Sequence, residues 1–470
     1  MPHLMRRAVS AALASALVTL SLATRLPAQT RPDVSGLSAR VPADWVRDAV
    51  VYELNVRTFT EAGTFAATTA RLPELRDLGV TVVWLMPIHP LGQVKKKGRI
   101  GSPYAVRDYL AVNPDYGTMD DLRRLVREAH RLGMKVILDV VLNHTSWDNA
   151  LLQRPGFHKR DAAGNVLSPY DWTDIAQLDY ANPATRTYIR DVLAYWVREA
   201  DIDGYRADVA FLVPTDFWEA LRAHVDGIKP GLMWLAESHE ADLLVKAFDL
   251  DYAWPSYHAL KDAIQGTRPA RVIRETWEAD QRIYPRGAVQ LRFADNHDET
   301  RATTLFGTKG ALAASALIFT MDGVPMLYNG MEVGDPTESG SPALFEDLPV
   351  FWGARERRPE FPRFYAQLIP FRQAHAALRR GTLRWVRNAD EDRVVTFLRA
   401  DASEELLVAI NLSNRPFTGS VEMAGTGFLE VTPWQEGRPG AEAADRTTRP
   451  ATLPTLALEP WGVRLFRRPR

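Results

Sequence analysis

The stretch that decides the fold is TMDDLRRLVREAHRLGMKVILDVVLNH, residues 118–144, in which a helical pattern runs directly into an apolar strand. Thr118 can cap the helix, with Asp121 three residues on, and Gly133 can end it. The apolar run from Lys135 is typical of a buried parallel strand. One apolar stripe at helical spacing is formed by Leu122, Leu125, Val126, Ala129 and Leu132.

Short apolar runs of this kind alternate with helical patterns along most of the chain. The eight runs begin at Ala49, Val80, Lys135, Ile202, Leu232, Ala247, Val289 and Val324. Eight strands with helices between them predict a parallel (β/α)8 TIM barrel and not an open doubly wound sheet. We place this barrel at residues 41–378.

Two segments depart from a plain barrel. A polar insertion that contains RPGFHKRDAAGNVLSPYDW follows the third strand, and we assign it to residues 144–177, on the face where barrel sites lie. Beyond Leu378 the alternation gives way to strand patterns such as RVVTFLRA and LLVAINLSN. Residues 379–470 are therefore predicted to form a C-terminal all-β sandwich domain.

The composition gives no reason to expect a polyanionic partner. Among 470 residues, 57 Lys and Arg nearly balance 58 Asp and Glu, which argues against nucleic-acid binding. The chain contains no cysteine, so it forms no disulfides.

The N-terminus has the pattern of a secretory signal. Arg6 and Arg7 precede the apolar run AVSAALASALVTLSLA, and small residues close the segment. We predict a signal peptide at residues 1–28, cut after Ala28, with Ala23 as the alternative. The expected location is periplasmic or secreted. No later segment is expected to cross a membrane.

The stretch GYRADVA, residues 204–210, places two charges in a strand that should be buried. Strand side chains alternate, so Arg206 and Asp208 point to one face. The pair is either a structural ion pair or a catalytic carboxylate that its arginine holds ionised.

Further polar residues stand at the carboxyl ends of the strands, where barrel enzymes build their sites. They are Asp139, Asn143 and His144 after the third strand, Glu237 after the fifth, and His297 and Asp298 after the seventh. Asp208 and Glu237 end consecutive strands, which lie about 4.8 Å apart. Two carboxyl groups about 5 to 5.5 Å apart are the arrangement of a retaining glycosidase, provided that both point to the centre.

The surroundings of each carboxyl group predict its role. Arg206 would keep Asp208 ionised as the nucleophile. An apolar run precedes Glu237, and desolvation would keep that residue protonated as the general acid, which then becomes the base. Asp298 would bind sugar hydroxyls and support the electron-poor ring of the transition state.

Four segments, DVVLNHTS, GYRADVA, WLAES and FADNHDE, resemble the signature segments of the α-amylase family of glycoside hydrolases, in the family's order. The resemblance runs from about Val50 to Gly334. It implies an α-glucan substrate and a retaining double displacement. The implied catalytic residues are Asp208 as nucleophile, Glu237 as acid/base and Asp298 as transition-state stabiliser. The implied substrate-binding residues are Tyr104, His144, Arg206 and His297, and Asp139 is expected to be structural.

The resemblance also has departures. Many members follow the nucleophile with a Lys-His pair that shapes the acceptor subsites, where this chain has Phe211 and Leu212. Asn143 matches a calcium ligand of many members. The short insertion offers only scattered further oxygen ligands, such as Asp161, Asp171 and Asp174, so a structural calcium ion has weak support from the sequence. No cofactor is expected for the chemistry.

We therefore expect an exported retaining α-glycosidase that hydrolyses α-1,4-glucosidic bonds in malto-oligosaccharides or starch-type glucans. One alternative is a transglycosylase or isomerase on the same scaffold, which would deliver the glycosyl group to a sugar. The other is a non-catalytic amylase-like protein that binds glucan.

Overall fold

The computed structural model describes residues 31–434, 449–450 and 453–470. The predicted signal peptide, residues 1–28, lies outside the described residues. In chain order the strands are β1 Val51–Leu54, β2 Val82–Leu85, β3 Lys135–Val140, β4 His144–Ser146, β5 Ile175–Gln177, β6 Gly204–Ala207, β7 Met233–Ala236, β8 Leu250–Tyr252, β9 Gln290–Arg292, β10 Val324–Tyr328, β11 Thr382–Trp385, β12 Val394–Ala400, β13 Glu404–Asn411, β14 Phe417–Ser420, β15 Leu429–Glu430, β16 Arg449–Pro450, β17 Thr455–Leu458 and β18 Val463–Pro469.

Helices connect most of these strands, and short 3-10 helices follow some of them. In chain order the α-helices are α1 Asp44–Arg47, α2 Val56–Phe59, α3 Phe65–Leu78, α4 Met119–Arg131, α5 Pro183–Ala200, α6 Thr215–Asp226, α7 Leu243–Lys246, α8 Trp254–Gln265, α9 Val272–Ile283, α10 Ala302–Thr320, α11 Ser341–Leu344, α12 Ala354–Arg357, α13 Glu360–Ala374 and α14 Ala376–Arg380. The 3-10 helices are Ala150–Gln153, Ala210–Leu212 and Met331–Val333.

Eight strands close into a parallel barrel, which confirms the predicted fold class. Their order around the barrel is β1, β2, β3, β6, β7, β8, β9 and β10, with β10 pairing back to β1. All eight apolar runs supply one strand each. Because side chains alternate along a strand, one set, which includes Val51, Ile137 and Leu235, packs together inside the barrel. The other set packs against the helices.

Helix α4 forms as its sequence predicts. Thr118 and Asp121 hydrogen-bond each other's backbone in a reciprocal capping box, and Gly133 follows the helix with a φ of 80°. The buried positions are Leu122, Leu125, Val126 and Ala129, so the apolar stripe faces the core.

Helix α10 corrects one expectation from the sequence. By length and composition alone, α10 is apolar enough to cross a membrane, whereas the sequence analysis expected no such segment after the N-terminus. In the structure, 61% of its most apolar window is buried, and it packs against α13 and β13. This burial makes α10 a core helix. Gly307 breaks the helical conformation inside it, so the helix is kinked.

The insertion and the C-terminal region are the two parts of the chain that depart from the barrel pattern. In the insertion, β4 pairs antiparallel with β5. Strands β11, β12, β13, β18, β15 and β16 form one sheet, and β14 pairs with β17. Phe417 and Leu456 of that pair pack on Leu407 of the larger sheet, which confirms the predicted C-terminal β-sandwich. The opposite face of the larger sheet joins the core of the barrel through Phe397 and Val408.

Candidate active site

Arg206 is the centre of a buried polar layer inside the barrel, near the carboxyl ends of the strands. Its Nη1 donates to both carboxylate oxygens of Asp139, at 2.9 and 3.1 Å, and to Oδ1 of Asp208 at 3.3 Å. Its Nη2 lies 2.9 Å from Oε2 of Glu237. One fully buried guanidinium therefore contacts three carboxyl groups.

Strand register brings these groups together. β3 and β6 pair Asp139 directly with Arg206, and β6 and β7 pair Ala207 with Ala236. Asp208 directly follows Ala207 and Glu237 directly follows Ala236, so the two carboxyl residues emerge side by side from neighbouring strands. The structure thus brings together the two carboxyl groups that the sequence singled out.

The expected electrostatic role of Arg206 needs correction. Arg206 does not serve Asp208 alone, because its shorter contacts go to Asp139 and Glu237. Burial raises the pKa of Asp208 well above its ordinary value, and Glu237 adds to the rise while Arg206 opposes it. Burial also raises the pKa of Glu237, against the effect of Arg206. Burial thus makes both carboxyl groups harder to ionise, and the charge of Glu237 adds to this effect at Asp208.

Asp298 is the third predicted carboxyl group, on the loop that follows β9. Its side chain is 40% exposed, whereas those of Asp208 and Glu237 are 10% and 11% exposed. Asp298 is close enough to raise the pKa of both. It is thus the carboxylate of the three that is most accessible from solvent.

His297 connects Asp298 to a carboxylate that the sequence analysis missed. Its Nδ1 hydrogen-bonds Oε1 of Glu53 on β1, and its Nε2 lies 3.3 Å from Oδ2 of Asp298. Burial lowers the pKa of His297, but Asp298 and Glu53 outweigh burial and raise the pKa to about 9. The imidazole is therefore cationic at neutral pH. The sequence signal for Glu53 was a charged residue inside an apolar strand, which was also the signal that identified Arg206.

Tyr104 lies in the same cluster, as the resemblance implied. Its hydroxyl donates to Oδ2 of Asp139 at 3.0 Å and lies 2.7 Å from Nε2 of His297. The two rings stack with centroids 5.2 Å apart. Trp84 also donates to Oδ2 of Asp139, at 3.3 Å. Asp139 thus organises Arg206, Tyr104 and Trp84, in keeping with the structural role expected of it.

His144 borders this cluster at the start of the insertion. It is buried, and burial lowers its pKa to about 3, although a hydrogen bond with the backbone of Tyr104 opposes the shift. The ring is therefore neutral at neutral pH. Trp172 of the insertion lies edge-on to it, with ring centroids 6.0 Å apart.

Val209 contributes its backbone, which no sequence pattern indicated. It follows Asp208 with a left-handed backbone conformation, φ 37° and ψ 49°. Its N–H donates to Oε2 of Glu237 at 2.8 Å. A β-branched residue rarely adopts this conformation, so sequence reasoning had no reason to expect it.

The contacts of Asn143 do not fit a calcium shell. Its amide engages Nδ1 of His144 at 3.2 Å and accepts from Gln177 at 3.5 Å. Asp174 pairs with Lys97 at 3.1 Å, and Asp161 accepts backbone N–H groups of its own turn. Within residues 31–434, 449–450 and 453–470, no three His, Asp or Glu side chains form a group that could hold a metal ion.

Phe211 and Leu212 lie in the 3-10 helix that follows Asp208. Phe211 is 37% exposed, so an apolar ring faces solvent three residues after Asp208.

This site suits chemistry at a carbon that becomes electron-poor. A buried carboxyl pair can supply a nucleophile and a proton donor. The carboxyl groups of the cluster outnumber its two cations, Arg206 and His297, so developing positive charge is favoured. The five carboxyl groups are Glu53, Asp139, Asp208, Glu237 and Asp298.

Comparisons with known proteins agree with this arrangement. Residues 44–164 and 169–347 match the family model described as alpha amylase, catalytic domain. The alpha-amylase MalA of Haloarcula japonica is 29% identical over 426 residues, which cover 84% of this chain and 60% of that protein. The chain thus spans less than two thirds of the length of MalA.

Two further relatives are covered more completely. A cyclomaltodextrinase from a Bacillus species is 27% identical over 435 residues, covering 81% of this chain and 75% of that protein. The crystal structure of an alpha-amylase from Lactobacillus plantarum superposes with a TM-score of 0.78 at 31% identity. That alignment covers 90% of this chain and 99% of the other.

Proposed function

Because the chain belongs to the α-amylase family of glycoside hydrolases, we propose that it hydrolyses α-1,4-glucosidic bonds in malto-oligosaccharides or starch-type glucans. The observation that carries this proposal is the side-by-side emergence of Asp208 and Glu237 from neighbouring strands, with Arg206 in contact with both. The names of relatives, among them a cyclomaltodextrinase, favour a substrate built from α-linked glucose.

In the first half of the proposed reaction, Asp208 attacks the anomeric carbon while Glu237 protonates the departing glycosidic oxygen. The bond from carbon to that oxygen breaks and a glycosyl ester to Asp208 forms. This reaction requires an ionised Asp208 and a protonated Glu237 in the substrate complex.

In the second half, Glu237 removes a proton from water, and the water oxygen attacks the anomeric carbon. The ester bond breaks, Asp208 leaves as a carboxylate, and the sugar regains its original anomeric configuration. Asp298 and His297 hold sugar hydroxyls during both steps, as an exposed carboxylate beside a cationic imidazole can. The carboxyl pair supplies both the nucleophile and the proton, so the proposed reaction draws on no cofactor.

Transfer to a sugar acceptor is the second candidate, and Phe211 favours it. Its exposed ring stands close along the chain to Asp208, where an acceptor sugar could stack in place of water. Transglycosylation uses the same glycosyl ester and differs only in what attacks it.

We also propose that the protein is exported to the periplasm or the medium. The support is the charge and apolar pattern of residues 1–28.

Product analysis tests the proposed activity. We would incubate the protein with maltoheptaose, with and without added glucose, and follow the products by chromatography. Shorter maltodextrins with a net gain of reducing ends support hydrolysis, and added glucose incorporated into products supports transfer. Asp208→Asn should abolish both. Asp216→Asn is the matched control, because Asp216 is exposed and, among the described residues, forms an ion pair only with Arg186 on the outer helices. Glucan binding without any cleavage would contradict the proposal.

A further inference from the structure

A cavity lies at the opposite end of the barrel from the carboxyl cluster. It has a volume of about 300 Å³ and lies between the amino-terminal ends of β9 and β10 and the first strands of the C-terminal sheet. Gln290 and Gly323 line it from the barrel, and Thr382 lines it from β11. Cavities of this size hold small ligands.

Arginine side chains dominate the lining of this cavity, which we call the floor cavity because it lies at the amino-terminal end of the barrel strands. The arginines are Arg47, Arg292, Arg379, Arg380 and Arg399. The lining holds only two carboxyl groups, those of Asp280 and Asp322. Asp322 already accepts from Arg292 at 2.8 Å and from Trp277 at 2.9 Å. Burial raises the pKa of Asp280 to about 6, so that carboxyl group is largely ionised at pH 7. Arg379 and Arg380 each pair with Asp48 at 2.7 Å, so the uncompensated positive charge of the cavity lies on Arg47 and Arg399.

Two of these arginines have no carboxylate partner. Among the residues that the structure describes, no carboxylate oxygen lies within 4.0 Å of a guanidinium nitrogen of Arg47 or Arg399. Arg47 makes a single hydrogen bond, to the carbonyl of Gly287 at 3.2 Å. A guanidinium has five N–H donors, so most of those of Arg47 are free to bind a ligand.

Like charges also crowd one another here. Burial lowers the pKa of Arg47, and the nearby charge of Arg380 lowers it further. Burial lowers the pKa of Arg399 to about 10; Asp322 opposes this and Arg292 adds to it. Guanidinium groups keep their charge in proteins, so the mutual repulsion of these side chains persists. An anion in the cavity would relieve it.

A purely structural role explains only part of the cluster. Arg399 donates to the carbonyls of Thr320 and Gly381, at 2.8 and 2.9 Å, and so ties α10 to the start of β11. Its Nε has no acceptor among the described protein atoms, and the same holds for Nε of Arg379. Among the described residues, Arg47 makes no hydrogen bond to the C-terminal region. The carbonyl contacts thus leave the free donors and the charge excess unexplained.

We propose that the floor cavity binds a phosphate-type oxyanion, with Arg47 as its main ligand, Arg399 supplying further positive charge and Nε of Arg379 a further donor. Guanidinium groups recognise tetrahedral oxyanions through paired N–H donors. The anion is either inorganic phosphate or the phosphate group of a small phosphomonoester, and the volume leaves room for either. This site is independent of the proposed hydrolysis, since it lies at the other end of the barrel.

Calorimetric titration of the full protein tests this proposal. Inorganic phosphate, glucose 6-phosphate and glucose would be titrated separately at about pH 7, with ionic strength held constant by sodium chloride. We expect saturable binding of one anion per chain for phosphate, for glucose 6-phosphate or for both, and none for glucose. Phosphate alone would identify the free ion as ligand, and tighter binding of glucose 6-phosphate would identify a phosphomonoester.

Variants make the test specific to the cavity. Arg47→Gln should weaken binding at least about tenfold, because it removes the guanidinium with the most free donors. Arg190→Gln is the matched control, since the Arg190 side chain is exposed on α5 and, within the part of the chain that the structure describes, forms an ion pair only with Asp191. Circular dichroism would verify that each variant is folded. The absence of saturable binding, or equal binding by Arg47→Gln and wild type, would overturn the proposal.

Discussion

The backbone N–H of Val209 donates a 2.8 Å hydrogen bond to Oε2 of Glu237, although Val209 itself has a left-handed backbone conformation. This conformation disfavours a β-branched residue and costs on the order of 1–3 kcal/mol. The turn after Asp208 thus stores strain while it fixes one oxygen of the neighbouring carboxyl group. The other oxygen is left to protonate a substrate.

The strain at Val209 can be measured with two truncations. We expect Val209→Gly to be more stable than Val209→Ala by about 1 kcal/mol, because only alanine keeps the Cβ that opposes positive φ. The readout is the free energy of unfolding from urea titrations. The same pair at Val213, where φ is −103°, should show the ordinary order, with alanine the more stable. A higher free energy of unfolding for Val209→Ala than for Val209→Gly would show that the turn is unstrained.

Removal of the acid from Glu237 should affect substrates according to their leaving groups. We expect Glu237→Gln to lower kcat/KM on maltoheptaose by about 10²–10⁴-fold, since a sugar leaving group needs protonation. On α-glucosyl fluoride, whose leaving group needs little protonation, the loss should be much smaller. Steady-state rates on both substrates give the comparison. Equal losses on the two would be inconsistent with an acid role.

His297 should make stability depend on alkaline pH. Its pKa is raised from 6.5 to about 9 in the folded protein, so its stabilising contribution is complete below pH 6.5 and is lost as the pH rises through 9. We expect the stability advantage of wild type over His297→Gln to fall by on the order of 3 kcal/mol across that window. Urea unfolding of both proteins at several pH values measures it. A constant difference between the two would mean that Glu53 and Asp298 do not hold a proton on the imidazole.

Asp280 should make stability fall with rising pH in the same direction as His297, in a more acidic window. Its pKa is raised from 3.8 to about 6 by burial, so the folded state loses stability as the pH rises from 3.8 through 6. We expect Asp280→Asn to be more stable than wild type above pH 6, by on the order of 2–3 kcal/mol, with the gain vanishing near pH 4. Thermal unfolding across this range tests it. Asp262→Asn is the control, because that aspartate lies on the surface of α8.

Much of the fold followed from local patterns in the sequence. The capping box and apolar stripe of α4 lie within residues 118–132, and each barrel strand was visible as its own apolar run. The proximity of Asp208 and Glu237 was also predictable, because consecutive barrel strands are neighbours and both residues directly follow their strands.

The rest of the site depended on contacts between distant parts of the chain. Glu53 reaches His297 only because the barrel closes and brings β1 next to β10 and the loop after β9. The sharing of Arg206 with Asp139 depends on the register between β3 and β6, which a pattern within either strand does not specify. For that reason the sequence overstated how far Arg206 keeps Asp208 ionised.

The anomeric configuration of the first product tests the central claim most directly. We would add the protein to maltoheptaose and record proton NMR spectra before mutarotation equilibrates the new reducing ends, with Asp208→Asn as the control. If Asp208 and Glu237 act as nucleophile and acid/base, the first new ends are α-anomers and the variant produces none. New β-anomers, or α-anomers produced equally by Asp208→Asn, would contradict the assignment of this carboxyl pair.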